Sequence, residues 1–310
     1  MRILITGGAG CLGSNLVERY VPAGHDVLVI DNFATGRREV LPQVAGLTVV
    51  AGTIADRATV DTCFDRFRPT HVIHSAAAYK DPADWREDAA TNVSGTINVI
   101  EAARRHAVHR FVNFQTALCY GRPTRVPIPV DHPLRPFTSY GVSKTAGEQY
   151  VTMSGLPAVS LRLANVTGPR LAIGPIPTFY KRLRTGQKCV CSDTVRDFLD
   201  MSDFLALMDM ALAAGAPTGV FNVSTGQGHS IRDLFGVVAD YLGIAVTEPV
   251  PTVPPGPDDV RAVVLDPAAT EAAFGWKAVC GFEETIHRML SWYDRHGISA
   301  IHSHLAAPKL

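Results

Sequence analysis

The segment Thr6-Gly7-Gly8-Ala9-Gly10-Cys11-Leu12-Gly13 follows a short apolar run at residues 3–5 and leads into an amphipathic stretch that ends near Gly24. A strand, a glycine turn and a helix in this order place backbone N–H groups at a helix N-terminus, where they can bind a pyrophosphate. Gly7 and Gly10 allow the tight turn and the close approach of the backbone, and Gly13 allows the helix to pack near the strand. The segment therefore predicts a nucleotide-binding fold.

The next apolar run, residues 27–30, ends in Asp31. A carboxylate at the end of this second strand accepts hydrogen bonds from the adenosine ribose hydroxyls and repels a 2′-phosphate. Arg37 and Arg38 lie deeper in the following loop and are expected to be solvated. Asp31 therefore favours NAD over NADP as the cofactor.

Apolar strands and helical stretches continue to alternate along the first half of the chain. Further strands are predicted at residues 47–50, 71–74 and 110–114, with helices at 60–67 and 92–106. Repeated β-α units with apolar strands predict a parallel sheet covered by helices on both faces, a doubly wound α/β fold. The small residues of the Ser75-Ala76-Ala77-Ala78 segment permit close approach of a cofactor after the strand that ends in His74, which is expected to be structural.

Composition limits the classes of function. The chain has 310 residues, of which 46% are hydrophobic, enough for one large domain and a smaller lobe. Lysine plus arginine equals aspartate plus glutamate, 29 each, so no nucleic-acid or membrane-surface partner is expected. The six cysteines show no zinc-type spacing, which predicts reduced thiols and no metal site. No signal segment or long apolar run is apparent, and a soluble cytoplasmic protein is expected.

Tyr140 and Lys144 are the strongest catalytic candidates. Residues four apart share one face of a helix, and an ammonium beside a phenol favours the phenolate, which can then act as a base. The pair alone is also typical of an ordinary solvated helix face. Thr116 lies just past a predicted strand, where a parallel sheet places its ligands. Its hydroxyl either satisfies loop backbone or contacts a ligand.

Taken in order, these motifs resemble those of one family. They are the 6–13 segment, Asp31-Asn32-Phe33, Asn92-Val93-Ser94-Gly95-Thr96, Thr116 with Tyr120-Gly121, Tyr140 with Lys144, Leu161-Arg162-Leu163-Ala164-Asn165-Val166-Thr167-Gly168-Pro169, and Arg196-Asp197-Phe198. From residue 3 to about residue 295 the chain resembles the extended short-chain dehydrogenases/reductases, in their nucleotide-sugar epimerase/dehydratase branch. Residues 31–36 look most like UDP-glucose/UDP-galactose 4-epimerases and their relatives from bacterial polysaccharide clusters.

The resemblance implies a Rossmann domain at residues 1–165, to which 197–228 return, and a mixed substrate-binding lobe formed by 166–196 and 229–310. Thr116, Tyr140 and Lys144 take the catalytic roles, and a homodimer forms through the helices at 92–106 and 140–153. The implied substrate is a nucleotide sugar, bound by Lys80, Thr116, Asn165 and Arg196. The implied NAD-binding residues are Gly7, Gly10, Cys11, Leu12, Gly13, Asp31, Asn32, Thr35, Gly36, Thr53, Ile54, Ala76, Ala77, Ala78, Asn92, Tyr140 and Lys144.

The two residues after Thr116 discriminate between the reactions of this family. The similar 4,6-dehydratases carry Asp-Glu there, whereas this chain has Ala117 and Leu118, neither of which can transfer a proton. This difference favours 4-epimerisation of a nucleotide sugar through a 4-keto intermediate, with a UDP-hexose, UDP-N-acetylhexosamine or UDP-uronic acid as substrate. A dehydratase or net 4-oxidoreductase is the alternative, and a non-catalytic NAD-sensing protein is a distant one.

Several stretches depart from the family pattern. Gly256 stands where the family has a diphosphate-binding arginine, for which Arg261 could substitute, and residues 190–192 replace a Gly-Asp-Gly turn. Thr53-Ile54 replaces Asp-Ile at the adenine edge. A rebuilt pocket of this kind is compatible with a sugar that carries its own extra charge. Later helices are predicted at 176–185, 230–242 (with Ser230 as N-cap), 266–275 and 282–293, and a strand at 187–191. The 298–310 tail, with His302 and His304, is expected to pack at a subunit interface or stay loose.

Overall fold

The central sheet has seven strands, all of them parallel, in a computed structural model that describes residues 1–79 and 81–298. The strands of the described chain are β1 Arg2–Thr6, β2 Asp26–Asp31, β3 Leu47–Ala51, β4 His71–His74, β5 Arg110–Thr116, β6 Ala158–Leu163, β7 Asn165–Thr167, β8 Cys191–Ser192, β9 Val195–Arg196, β10 Phe198–Asp200, β11 Gly219–Val223, β12 His229–Ser230, β13 Thr252–Val253 and β14 Ala262–Val263.

The helices cover both faces of this sheet and build the smaller lobe. They are α1 Cys11–Tyr20, α2 Arg57–Phe67, α3 Trp85–Asp88, α4 Thr96–Arg105, α5 Ser139–Met153, α6 Pro175–Arg184, α7 Met201–Leu212, α8 Ile231–Tyr241, α9 Ala268–Phe274 and α10 Phe282–His296. Within residues 1–79 and 81–298, no helix is long and apolar enough to cross a membrane.

The strand order is β11-β6-β5-β4-β1-β2-β3, so the chain reverses its direction of winding between β1 and β4. This confirms the predicted doubly wound parallel sheet. In such sheets the loops after two neighbouring strands separate at the reversal point and leave a crevice at the carboxyl ends of the strands. The loops after β1 and β4 carry the glycine segment and residues 75–78, so both segments lie at this crevice.

Alternate residues of the strands point to opposite faces of the sheet and enter two separate cores. Ile3 and Ile5 of β1 pack in one core with residues of α1 and α7, while Leu4 packs in the other with residues of α2, α4 and α5. All three are fully buried. Because both faces are covered, β1 and β2 carry unbroken apolar runs at residues 3–5 and 27–30, as the sequence predicted, whereas β5 includes the buried polar residues Asn113 and Gln115.

The smaller lobe has its own core, formed by α6, α8 and α10. Its short sheets are mixed, since β9 pairs antiparallel with β12 and parallel with β14. Ser230 is the N-cap of α8, as predicted, and forms a capping box with Asp233. The strand predicted at 187–191 is wrong, because only Cys191 of it is in a strand and the Gln187 N–H instead donates to the Arg182 carbonyl at the end of α6.

The helix predicted at 92–106 has two parts. Residues Ala89–Gly95 form a π-helical stretch, and α4 follows from Thr96 to Arg105. Wider π-helical turns of this kind often occur at functional sites because they place a side chain where a regular helix would not. Here the stretch places Asn92.

Candidate active site

A cavity of about 810 Å³ lies at the carboxyl ends of the sheet strands. Its wall is built from the residues that follow β1, β2, β4, β5 and β6, and from residues of the smaller lobe such as Ile176, Arg196 and Ile231. The site therefore lies in the crevice that the strand order creates.

The glycine turn forms the floor of the cavity at the start of α1. Gly7 has a φ of +68°, and a Cβ added there would lie 2.7 Å from the Ala76 Cα. A Cβ on Gly13 would lie 2.4 Å from the Gly7 carbonyl oxygen. Gly7 and Gly10 line the cavity, whereas Gly13 does not and serves to pack α1 against the turn. The backbone cradle at this helix N-terminus fits a pyrophosphate.

Asp31 ties the glycine turn to the loop that follows β2. Its Oδ2 accepts a hydrogen bond from the Ala9 N–H at 2.8 Å, and its Oδ1 accepts one from the Phe33 N–H at 2.8 Å. Burial raises the pKa of this carboxyl, and the two backbone hydrogen bonds oppose the shift. Each oxygen can accept a further bond, which suits a ribose diol. Neither Arg37 nor Arg38 lines the cavity.

Most of the other cofactor-binding candidates line the cavity, but Asn92 does not. Asn92 is 1% exposed; its Oδ1 accepts from the Ala78 N–H at 2.8 Å, and its Nδ2 donates to the Ala78 carbonyl and the Ser143 hydroxyl at 3.0 Å each. It therefore holds the loop after β4 against α5 and supports the site without facing it. The candidates that do line the cavity are Cys11, Leu12, Asn32, Thr35, Gly36, Thr53, Ile54, Ala76, Ala77 and Ala78.

Thr116, Tyr140 and Lys144 line the same cavity. Tyr140 and Lys144 lie one turn apart at the start of α5, whose N-cap Thr138 accepts a hydrogen bond from the Gly141 N–H at 3.0 Å. Gln115 Nε2 donates to the Lys144 carbonyl at 2.9 Å and fixes α5 to the end of β5. The Thr116 hydroxyl accepts from the Leu118 N–H at 3.2 Å, and its own proton can be donated to a ligand.

The electrostatics of this group differ from the expectation that Lys144 lowers the tyrosine pKa. Burial raises the pKa of Tyr140, and the neighbouring Tyr79 and Asp88 raise it further. Burial lowers the pKa of Lys144 to about 8, which Glu148 partly opposes. Loss of water is the largest cause for both residues, because burial disfavours the charged form of each group.

The predicted substrate-binding residues have a mixed outcome. Asn165 and Arg196 line the cavity. Asn165 Nδ2 donates to the Asp197 carbonyl at 2.9 Å, and Arg196 is paired with the cavity residue Asp259. Arg261 pairs instead with Asp193 at 2.9 Å and does not line the cavity, so the suggested replacement for the missing arginine is wrong.

Two other predictions fall on parts of the chain that the structure does not describe. Lys80 and the residues from 299 onward, including His302 and His304, lie outside the described residues. Among the described lining residues, the only cations are Lys144 and Arg196.

Reasoning from the sequence missed three residues that line the cavity, Tyr79, Asp88 and Asp259. The Tyr79 ring contacts the Tyr140 ring edge to face at 6.3 Å between centroids, and its hydroxyl donates to the Thr35 hydroxyl at 3.3 Å. Asp259 and Asp88 also line the cavity. Tyr79 directly follows residues 75–78, and Asp259 belongs to the stretch that departs from the family pattern, so the sequence position of each gave a weak indication that it lies at the site. Nothing in the sequence indicated Asp88. No group of His, Cys, Asp or Glu side chains suited to a metal occurs in the described part of the chain.

Comparison with known proteins identifies the family. The model of the NAD dependent epimerase/dehydratase family matches residues 3–224. The UDP-glucose 4-epimerase of Mycolicibacterium smegmatis is 32% identical, over 94% of this chain and 98% of the relative. The Bordetella bronchiseptica enzyme WbmG, solved in complex with NAD, is 68% identical over 99% of this chain and 98% of that one, with a TM-score of 0.94. A second WbmG structure, in complex with NAD and UDP, is 67% identical over 98% and 97%, with a TM-score of 0.93. The chain therefore belongs to the NAD dependent epimerase/dehydratase family, and its cofactor is NAD.

Proposed function

We propose that this protein epimerises a UDP-activated sugar at C4 through a transient 4-keto intermediate. One observation carries the proposal. Ala117 and Leu118 line the cavity beside Thr116, Tyr140 and Lys144, and neither can transfer a proton. After the sugar is oxidised at C4, these two positions beside Thr116 offer no acid or base for elimination. Relatives named UDP-glucose 4-epimerase and the UDP complex of WbmG support a UDP-sugar substrate.

The chain's own residues divide the work of the first step. The Tyr140 phenolate accepts the proton of the C4 hydroxyl, while Thr116 donates a hydrogen bond to the same sugar oxygen. NAD, when bound, takes the C4 hydride and later returns it, and its cationic nicotinamide favours the phenolate that burial disfavours. The keto sugar turns to present its other face, and Tyr140 returns the proton to the C4 oxygen. Proton and hydride both return, so the reaction has no net redox change.

The remaining groups bind the nucleotide. Asn165 and Arg196 are proposed to contact the diphosphate, and a guanidinium fork suits this role. Asp259 holds Arg196 in the cavity wall, so a diphosphate would share or replace that partner. Lys80 remains a candidate for a phosphate contact. A UDP-hexose, a UDP-N-acetylhexosamine or a UDP-uronic acid remains the proposed substrate, with surface polysaccharide or other glycan synthesis as its use.

The family description includes dehydratases, so dehydration or net 4-oxidoreduction of a nucleotide sugar is the second candidate. It requires a proton-transferring group to act after the first oxidation or a net supply of reductant. The Ala117-Leu118 pair weighs against the first requirement, and Asp31 weighs against NADPH as the reductant.

We also propose a cytoplasmic homodimer. Val142, Tyr150 and Met153 lie on one face of α5 and are 52%, 40% and 75% exposed, a pattern that favours burial against a second copy of the chain. We further assign residues 1–165 and 197–228 to the NAD-binding domain and residues 166–196 and 229–310 to the substrate lobe, which the place of β11 in the large sheet supports.

Product analysis tests the proposed reaction. The protein is incubated with UDP-hexoses, UDP-N-acetylhexosamines and UDP-hexuronic acids, and the products are resolved by NMR. We expect the C4 epimer of at least one substrate, without added NADPH. Tyr140→Phe and Thr116→Ala should each lower turnover at least ~100-fold while NAD stays bound. Tyr241→Phe, at the end of α8 and outside the cavity, is the matched control. A 4-keto or unsaturated end product would contradict the proposal.

A further inference from the structure

Asp88, the last residue of α3, is a buried carboxylate with an open acceptor in the wall of the active-site cavity. It is 2% exposed and lines the cavity. Its Oδ2 atom is buried and has no hydrogen-bond partner among the described residues. Buried polar groups are nearly always hydrogen-bonded, so a buried open carboxylate oxygen disfavours folding.

The neighbouring acids are different. Asp81, Asp84 and Glu87 are all exposed. Asp81 Oδ1 accepts from the Ala83 N–H at 2.9 Å, Asp84 Oδ1 from the Glu87 N–H at 3.0 Å, and Glu87 Oε1 from the Thr91 hydroxyl at 2.7 Å. Asp88 is therefore the one acid of this group that combines burial with an unused acceptor.

The position of Asp88 places this acceptor close to the reaction. Helix α3 packs against α5, whose first residue, Ser139, lowers the pKa of the Asp88 carboxyl and directly precedes Tyr140. The carboxylate also acts electrostatically on the Tyr140 phenol. A helix N-terminus of this kind stabilises a nearby anion, although burial still raises the pKa of Asp88. Tyr140 and Asp88 line the same cavity, so a sugar bound at Tyr140 shares that cavity with the Asp88 carboxylate.

We propose that Asp88 is a sugar-recognition residue that accepts a hydrogen bond from a hydroxyl or amide N–H of the substrate hexose. The inference rests on the proposed function and deepens it, because it assigns a specificity role on the sugar side of the cavity. A bound sugar supplies the donor that the described residues do not. Binding of UDP alone does not engage Asp88, since UDP has no group at this position.

The test separates the affinity for the sugar from the affinity for the nucleotide. NAD-loaded wild-type protein and the Asp88→Asn variant are titrated by calorimetry with UDP, UDP-glucose, UDP-N-acetylglucosamine and UDP-glucuronic acid. We expect UDP to bind both proteins equally. For the UDP-sugar that wild type binds most tightly, Asp88→Asn should weaken binding about 10- to 100-fold, the range for a hydrogen bond to a charged group. Asp240→Asn, which changes an exposed acid of α8 that does not line the cavity, should change neither affinity.

Two further measurements identify the atom and exclude a structural role. Single deoxyfluoro analogues of the preferred UDP-sugar should show one position whose replacement weakens wild-type binding but does not weaken binding to Asp88→Asn, because fluorine cannot donate. The melting temperature of the ligand-free variant should not fall, since the substitution removes a buried charge that lacks a full set of partners.

Three results would overturn the proposal. In the first, Asp88→Asn weakens the binding of UDP and of UDP-sugars equally. In the second, wild-type protein binds no UDP-sugar more tightly than it binds UDP. In the third, Asp88→Asn shifts the pH profile of turnover but leaves the sugar affinity unchanged. The last result would make Asp88 only an electrostatic neighbour of Tyr140. Failure of the proposed epimerisation is a separate outcome, because the difference in sugar affinity between wild type and Asp88→Asn is measured whether or not the sugar is epimerised.

Discussion

Replacing Glu148 with Gln should strongly destabilise the protein and also change the active site. Glu148 lies on α5, one turn after Lys144, and forms an ion pair with Arg162 in which the two side chains are 0% and 6% exposed. Glu148 Oε1 also accepts a hydrogen bond from the Ser160 hydroxyl at 2.7 Å. The Arg162 guanidinium donates to the Tyr120 hydroxyl at 2.8 Å as well, so the pair joins α5 to the sheet.

The magnitude follows from burial. Removing one partner of a buried ion pair leaves the other charge without compensation and costs about 3–5 kcal/mol. That is a large part of the ~5–15 kcal/mol by which folded proteins are stable. Since Glu148 also opposes the lowering of the Lys144 pKa, its loss should move that pKa below about 8. The alkaline limb of the pH–rate profile should therefore move to lower pH.

Denaturant unfolding measures the first effect and initial rates against pH measure the second. Glu284→Gln is the matched control, since Glu284 pairs with Arg288 on α10 with side chains that are 59% and 51% exposed, and an exposed pair is worth ~0.2–1 kcal/mol. The double variant Glu148→Leu with Arg162→Met should recover much of the lost stability, because it removes both charges. A cost for Glu148→Gln no larger than that of the control would refute the reasoning.

Two other substitutions test the support of the site. His74 is fully buried between the hydroxyls of Thr6 and Thr96, and burial lowers its pKa to about 3. The contribution of the neutral imidazole to stability is complete above the unfolded pKa of about 6.5 and declines as the pH falls. The difference in free energy of unfolding between wild type and His74→Asn, measured by urea titration, should therefore narrow by about 1.4 kcal/mol per pH unit below pH 6.5. The difference between the two proteins is compared because Asp197, whose pKa burial raises to about 6, gives the stability of both proteins a pH dependence of opposite sign. A difference that stays constant with pH would contradict the conclusion that His74 is buried in its neutral form. Asn92→Ala should lower the free energy of unfolding by ~1–3 kcal/mol, since it leaves the backbone N–H and carbonyl of Ala78 without their partner. It should also increase the release of NAD on dialysis. Unchanged NAD retention would show that the hydrogen bonds between Asn92 and Ala78 do not shape the cofactor site.

The first five strands of the large sheet and the glycine turn were predictable because their signals are local, whereas β6 and β11 were not predicted. Uninterrupted apolar runs identify strands buried on both faces, and the spacing of Gly7, Gly10 and Gly13 is set by one turn of backbone. The 187–191 strand failed because alternating Cys189 and Cys191 imitate a half-buried strand. In the structure both are buried in the lobe core, but the backbone of residue 187 closes α6.

The candidate site likewise has features that local sequence predicts and features that depend on tertiary contacts. Tyr140 and Lys144 were predictable because four residues of helix bring them to one face whatever the rest of the fold does. A direct contact between Asn92 and NAD stays a prediction, and the sequence does not show that the amide of Asn92 bonds to Ala78 and Ser143.

By itself, the sequence determined the parallel sheet, the nucleotide-binding turn, the choice of NAD through Asp31, and the absence of a proton-transferring pair after Thr116. Only the tertiary structure decided that Arg196 pairs with Asp259, that Tyr79 packs against Tyr140, and that Asp88 keeps an open oxygen. It also decided that burial raises the Tyr140 pKa. The reason is physical: local patterns are set by backbone periodicity, whereas partners and pKa values depend on which distant segments meet and on how much water they exclude.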